Sequence, residues 1–325
     1  MLPNFSYVRP ESLREVHRLL KAEGARAHAG GTDLLGCLHD QVFSADKLVS
    51  LTALDKLRGI RRSGDGGRRI GALTTISAVA GDPGLQRHYP VLTQAAAAVA
   101  SPQLRNQGTL GGNLCQKPRC WYYRGEFDCL RKGGPACYAV AGQNQFHCIL
   151  GGSGCYIVHP SDTAPALVAL DARVEIAGPQ GTRKVPVADF HVPPARDPQR
   201  ETILAADEVV TAILLPPPSA GIKSVYRKVR ARRSWDFAVA GVALALVFDG
   251  VTVRDARVVL SGAAPVSWRA REAEQDLVGS ELDEASAGRA AQAALADASP
   301  LEHNRYKVPL FQGLITGELV KLAGR

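Results

Sequence analysis

The apolar positions of the chain switch between helical and strand spacing, and the switch points divide it into two unequal parts. In SLREVHRLLKAE (12–23) Leu13, Val16, Leu19 and Leu20 mark one face of a helix. Pro10 and Ser12 suit its start and Gly24 its stop. RAHA, KLVSL (47–51) and RIGAL (69–73) predict strands, and PVLTQAAAAVAS (90–101) predicts an Ala-rich helix. Thr163–Leu170 predicts a helix capped by Ser161-Asp162. ARVEIAG and TILAADEVVTAILLP again predict strands. Pro216-Pro217-Pro218 and the Ser219-Ala220-Gly221 that follows form a linker. Beyond it KSVYRKVRA, FAVAGVALALVF and DARVVLSG predict three strands of one sheet, with a turn in VFDGVTV. Helical segments follow at about 267–279, 283–297 and 302–322. Strands followed by helices define an α+β class, with a boundary near 220 that separates residues 1–220 from 221–325.

Composition narrows the function classes. A length of 325 residues allows one large domain or two to three smaller ones. The 46% hydrophobic content is that of a soluble globular protein, and VAGVALALVF is too short to cross a membrane. The formal charge of +8 is spread among acids with no Lys/Arg block, which argues against nucleic acid and leaves an acidic protein partner as the plain explanation. Lys228, Arg230 and Arg232 alternate, so a strand would present them on one face, to phosphates or to solvent.

The chemistry concentrates in the middle. Six of the seven cysteines (Cys115, Cys120, Cys129, Cys137, Cys148 and Cys155) fall within one segment. Thiolates bind zinc or iron–sulfur clusters, and four can close a site. A disulfide framework is the rival, but it suits short secreted chains, and the N-terminus carries no apolar run like a signal peptide. Two Gly-rich segments precede the cysteines: Ala29-Gly30-Gly31-Thr32-Asp33-Leu34 and Thr109-Leu110-Gly111-Gly112-Asn113. Adjacent glycines let backbone N–H groups approach a pyrophosphate, though neither segment is a Rossmann fingerprint or a P-loop.

Taken in order, AGGTDLL, IGALTTIS, SPQLRNQGTLGGNL, HPSDTAPALVALDA and YRKVRARRSWDFAVAGVALAL resemble the FAD-binding medium subunit of the molybdenum hydroxylases, the xanthine dehydrogenase and carbon monoxide dehydrogenase group. The resemblance covers nearly the whole chain. It implies an FAD domain of the vanillyl-alcohol-oxidase (PCMH) type, then a small α+β domain with a three-stranded antiparallel sheet and helices. Carried over position by position, it places His28, Ala29, Gly30, Gly31, Thr32, Asp33, Leu34 and Leu35 around the FAD diphosphate. Thr109, Leu110, Gly111, Gly112 and Asn113 form the second diphosphate loop. Asp162 accepts from sugar or ribityl hydroxyls, Val99 and Val210 make apolar or backbone contacts, and Lys228 reaches toward the flavin. Tyr226, two residues away on the same strand face, is a candidate to stack near the ring, with a core position as the alternative.

The cysteines lie between Asn113 and Asp162, so they resemble an insert at about 114–161 that only some relatives carry. These are the 4-hydroxybenzoyl-CoA reductase β subunits and the flavin subunits of periplasmic aldehyde oxidoreductases. RCWYY, CLRKGG, HxILG and HPSD resemble that branch. There the insert holds a [4Fe–4S] cluster, which implies Cys120, Cys129, Cys137 and Cys155 as ligands here, with Cys148 the rival to Cys155. Lys117, Arg119, Arg124, Arg131 and Lys132 would offset its charge. Gln143, Asn144 and backbone N–H groups would hydrogen-bond sulfurs. His147 and His159 would hydrogen-bond rather than ligate, and Cys37 would pack as a small buried residue.

The implied function is electron transfer, with no catalytic residue for the organic reaction in this chain. Molybdenum chemistry would sit on a large partner subunit and two [2Fe–2S] clusters on a small one. An external acceptor or donor would complete the path. A stand-alone flavin oxidoreductase and a zinc-stabilised binding module are the alternatives. The expected compartment is the cytoplasm, or the periplasm if a partner with a twin-arginine signal carries the folded chain out.

Overall fold

The computed structural model describes residues 2–324. A three-stranded parallel sheet comes first, ordered Ser6–Val8, Lys47–Ser50, Ala25–His28. The helix Leu13–Leu20 covers it, capped by the Ser12 hydroxyl on the Glu15 N–H, and buries Val16 and Leu20. A five-stranded antiparallel sheet follows, ordered Ile60–Arg62, Arg68–Gly71, Val209–Leu215, Arg173–Gly178, Gly181–Pro186. Its central strand, Val209–Leu215, arrives from far along the chain to pair on both sides, which closes the N-terminal unit. The expected strand over TILAADEVVTAILLP shortens to this part. Gly181–Pro186, whose residues are nearly all exposed, carries no apolar signal and forms by edge pairing alone.

The last sheet is antiparallel, with Ile222–Val229, Ala240–Asp249 and Thr252–Ser261 as the three expected strands and a two-residue edge, Trp268–Arg269, beyond them. The alternation in its central strand is large against small, not apolar against polar. Val242, Leu244 and Leu246 face a core shared with the helices Arg271–Leu277, Glu284–Ala293 and Lys307–Ala323. Ala243 and Ala245 face a core shared with the helices Pro90–Ala97 and Thr163–Ala169. Both faces are therefore covered, and the small side chains let the N-terminal helices approach closely. Lys228 and Arg230 do not form a solvated basic face: the strand ends at Val229, and Lys228 is buried.

Residues 115–161 contain one short helix, Trp121–Arg124, and a single 3₁₀ turn, Leu130–Lys132. Side chains hold this segment in place. Ile149 and Leu150 enter the core of the last sheet, and their N–H groups donate to the Ala263 carbonyl. The buried Lys307 ammonium donates to the carbonyls of Phe146, His147 and Gly262. Among the described residues no helix is long and apolar enough to cross a membrane.

Candidate functional site: a cleft with a cysteine pocket behind it

A cleft of about 720 Å³ opens between the first two sheets, within the size range of cofactor sites. Both glycine segments line it, through Ala29, Gly30, Gly31, Thr32, Asp33 and Leu34 on one wall and Thr109, Gly111 and Gly112 on another. Leu204, Ala205, Ala206, Glu208, Val209 and Val210 close a third side. The glycines are required by geometry. A Cβ on Gly30 would stand 2.0 Å from the Gln107 carbonyl oxygen, and one on Gly111 would stand 2.9 Å from the Ala72 Cβ. Gly31 holds φ +72°, a left-handed conformation that other residues adopt only under strain. Thr109 caps its short helix through its hydroxyl on the Gly112 N–H. The result is a backbone cradle with room for a diphosphate, which fits FAD.

Several expected contacts lie just outside this lining. His28 ends its strand with its ring edge-on to Tyr7 at 5.7 Å, Leu35 packs beside Leu38, and Leu110 is buried in the core. Val99 packs on the main core, and its carbonyl accepts from Arg105. Asn113 leads from the cleft to a second cluster: its Oδ1 accepts from the hydroxyls of Ser161 and Thr163. Ser161, not Asp162, caps the following helix, through the Ala164 N–H at 3.0 Å. This frees the Asp162 carboxylate, which accepts from Lys228 Nζ and from the Tyr226 hydroxyl, both at 2.7 Å. Lys228 also donates to the Ala98 carbonyl. Burial pushes the Asp162 carboxyl up from its usual range, while Lys228 and then Tyr226 pull it back. Tyr226 is a buried core residue with its hydroxyl on Asp162, the alternative to a ring stacked at the flavin.

The cysteine segment closes over the cleft through ion pairs with the FAD-side walls. Asp33, in the first glycine segment, forms an ion pair with Arg119 at 2.8 Å and accepts from Arg124 and from the Lys117 N–H, both at 2.7 Å. Glu201, opposite, binds Lys117 and Arg131. The expected group of cations is thus largely paired, except Lys132, which donates to the Gly125 carbonyl. Glu201 is a site residue that local sequence does not mark, because it meets Arg131 across 70 residues.

Behind this wall, Cys120, Cys129, Cys137 and Cys155 line one tight pocket with Tyr123, Arg131 and His147. Cys148 lies outside that lining; burial pushes its thiol up to about 12. Cys115 lines the FAD-side cleft, and Cys37 is fully buried beside Val42 and Tyr123. All seven cysteines are free thiols, so no disulfide framework forms. His147 Nε2 sits 3.2 Å from Cys120 Sγ, the hydrogen-bonding role expected of it. Asn144 does not serve the sulfurs: its amide donates to the Ala139 and Gly142 carbonyls, and its oxygen accepts from the His303 N–H. Gln143 offers its backbone N–H to the Tyr122 hydroxyl. His159 packs against His191 with ring centroids 3.9 Å apart and planes tilted by 49°, and burial holds both imidazoles well below their usual range. Among the described residues no three His, Cys, Asp or Glu side chains converge as the ligands of a single metal ion do.

A two-unit FAD fold, with a glycine cradle in its first unit, defines a class of flavoprotein subunits. Residues 3–218 match the family described as the FAD binding domain in molybdopterin dehydrogenase, and residues 224–319 match the CO dehydrogenase flavoprotein C-terminal domain. The chain belongs to the FAD-binding medium subunits of the molybdenum hydroxylase family, an oxidoreductase family. It is 37% identical over 309 residues to the aldehyde oxidoreductase FAD-binding subunit PaoB of Escherichia coli (strain K12), covering 93% of this chain and 92% of that one. It is 28% identical to the carbon monoxide dehydrogenase medium chain of Hydrogenophaga pseudoflava, covering 99% and 96%. Its structure superposes on the Cu,Mo-CO dehydrogenase with a TM-score of 0.79 at 26% identity, covering 99% of this chain and 100% of that one.

Proposed function

We propose that this chain is the FAD- and [4Fe–4S]-containing electron-transfer subunit of a heteromeric molybdenum-dependent hydroxylase or dehydrogenase. Its partners are a large subunit that carries the molybdenum cofactor and a small [2Fe–2S] subunit. Electrons pass between that small subunit, this chain and an external acceptor or donor. When bound, FAD would exchange electrons one or two at a time, and the cluster would move them one at a time.

The single observation that carries the reading is the convergence of Cys120, Cys129, Cys137 and Cys155 on one pocket directly behind the cleft. These are four thiols separated by up to 35 positions, and Cys148 is not among them. A four-iron cluster offers each thiolate its own iron, so its ligands stand farther apart than those of one zinc ion. On the flavin side, residues 29–34 and 109–113 cradle the diphosphate, with Asp33 held by the cysteine segment. Lys228 and Asp162 form the polar end beyond Asn113.

The test is the absorption spectrum and iron content of the protein purified without oxygen. Flavin bands with a broad shoulder near ~400 nm and four irons per chain are expected. Flavin without iron would leave the FAD subunit and remove the cluster. One zinc per chain with no iron would remove the electron-relay reading. Co-purification of a molybdenum-containing large subunit and an iron–sulfur small subunit tests the assembly.

A further inference from the structure

Two side chains, Tyr123 and Arg131, line both the flavin cleft and the cysteine pocket. They are the partition between the two chambers, and they differ in kind. Tyr123 is neutral: burial, then the Glu201 charge, raises its hydroxyl far above its usual range. Arg131 carries a charge that proteins do not remove. Its side chain is 2% exposed and fixed by four hydrogen bonds to three acceptors. Nε and Nη2 donate to Glu201 Oε1 at 3.1 and 3.0 Å, Nη1 to the Pro198 carbonyl at 2.8 Å, and Nη2 to the Arg200 carbonyl at 3.1 Å. On the other side it lines the same pocket as Cys155. Glu201 in turn is shared with Lys117.

We infer that Arg131 is a positioning residue for electron transfer: a fixed cation in the wall between the two redox chambers that raises the potential of the cysteine-bound cluster, with Glu201 setting how much of its charge is felt. This rests on the [4Fe–4S] reading above. A cluster held by four thiolates gains one negative charge with each electron, and no bond or proton changes hands. A buried cation in the wall of that pocket therefore favours the reduced form, in a medium where charge is poorly screened. The Arg131–Glu201 pair is close to neutral as a unit. Removing either half changes the field in the cysteine pocket, and the two removals have opposite signs.

The experiment is an EPR-monitored redox titration of the intact complex carrying Arg131→Gln, Arg131→Lys or Glu201→Gln, with iron and FAD counted in each. Arg131→Gln is expected to shift the cluster midpoint to a more negative potential. Arg131→Lys is expected to recover most of that shift, and Glu201→Gln to move the midpoint the other way. Unchanged midpoints in Arg131→Gln and Glu201→Gln with four irons retained would overturn the assignment and leave Arg131 as a structural clamp. If Arg131→Gln loses iron, Glu201→Gln decides alone: a positive shift supports the inference and no shift overturns it. Wild-type protein without iron would instead overturn the [4Fe–4S] reading, so the two failures are distinct.

Discussion

Lys228 Nζ lies 2.7 Å from Asp162 Oδ2, and the two side chains are 3% and 4% exposed. The pair joins the last sheet to the helix after the cysteine segment, with the Tyr226 hydroxyl on the other carboxylate oxygen. A buried charge that loses its partner is costly because nothing else solvates it. Lys228→Met should therefore lower stability by about 3–5 kcal/mol, read by urea unfolding of the apoprotein. A change below ~1 kcal/mol would show that the pair is solvated in solution.

The same carboxylate is the proposed sugar-hydroxyl acceptor for FAD. Asp162→Ala should weaken FAD binding about tenfold or more, measured by flavin fluorescence on titration, equivalent to at least ~1.4 kcal/mol. Flavin content and affinity equal to wild type would confine Asp162 to its bond with Lys228.

The cradle makes a sharper prediction. Gly30→Ala places a methyl group 2.0 Å from the Gln107 carbonyl, so the first loop must move away from the second. FAD should be lost while the far-ultraviolet circular dichroism stays near wild type. Retention of FAD would mean that the loops separate without cost to the site.

Cysteine replacement separates ligands from bystanders. Cys137→Ala should lose the cluster iron and keep much of the FAD, because the glycine loops do not depend on that thiol. Cys148→Ala should keep its iron. Iron lost in Cys148→Ala but kept in Cys155→Ala would exchange the fourth ligand.

Acid should destabilise the fold through the paired buried imidazoles of His159 and His191. Burial lowers the His191 pKa to about 4 and holds that of His159 well below its usual range, against about 6.5 in the unfolded chain. Between those values the unfolded chain binds more protons than the folded one, so stability falls as pH drops from 6.5 toward 4. His191 alone contributes about 3 kcal/mol to that loss. His191→Gln should flatten the decline of melting temperature across this window, and an unchanged slope would refute it.

Much of the fold was legible in local pattern because local pattern causes it. Leu13, Val16 and Leu20 share one helix face, and that face is the one buried. The turn between Ala240–Asp249 and Thr252–Ser261 falls where VFDGVTV predicts it. The glycine loops were legible because a backbone cradle leaves a compositional trace. The helices Ile76–Gly81, Pro83–His88 and Pro102–Gln107 were not anticipated, since each is too short to show a period and is fixed by its cap and by packing.

The sequence by itself marked the candidates for chemistry: paired glycines, a run of cysteines, an acid in HPSD and a lysine two residues after Tyr226. Their partners were decided by tertiary structure alone. Asp33 meets Arg119 and Arg124, Glu201 meets Arg131, and Asp162 meets Lys228 across separations of 66 to 91 positions. An ion pair has no period and no propensity, so it leaves no local trace. It forms where burial removes water from both charges, and only the packed chain brings them together.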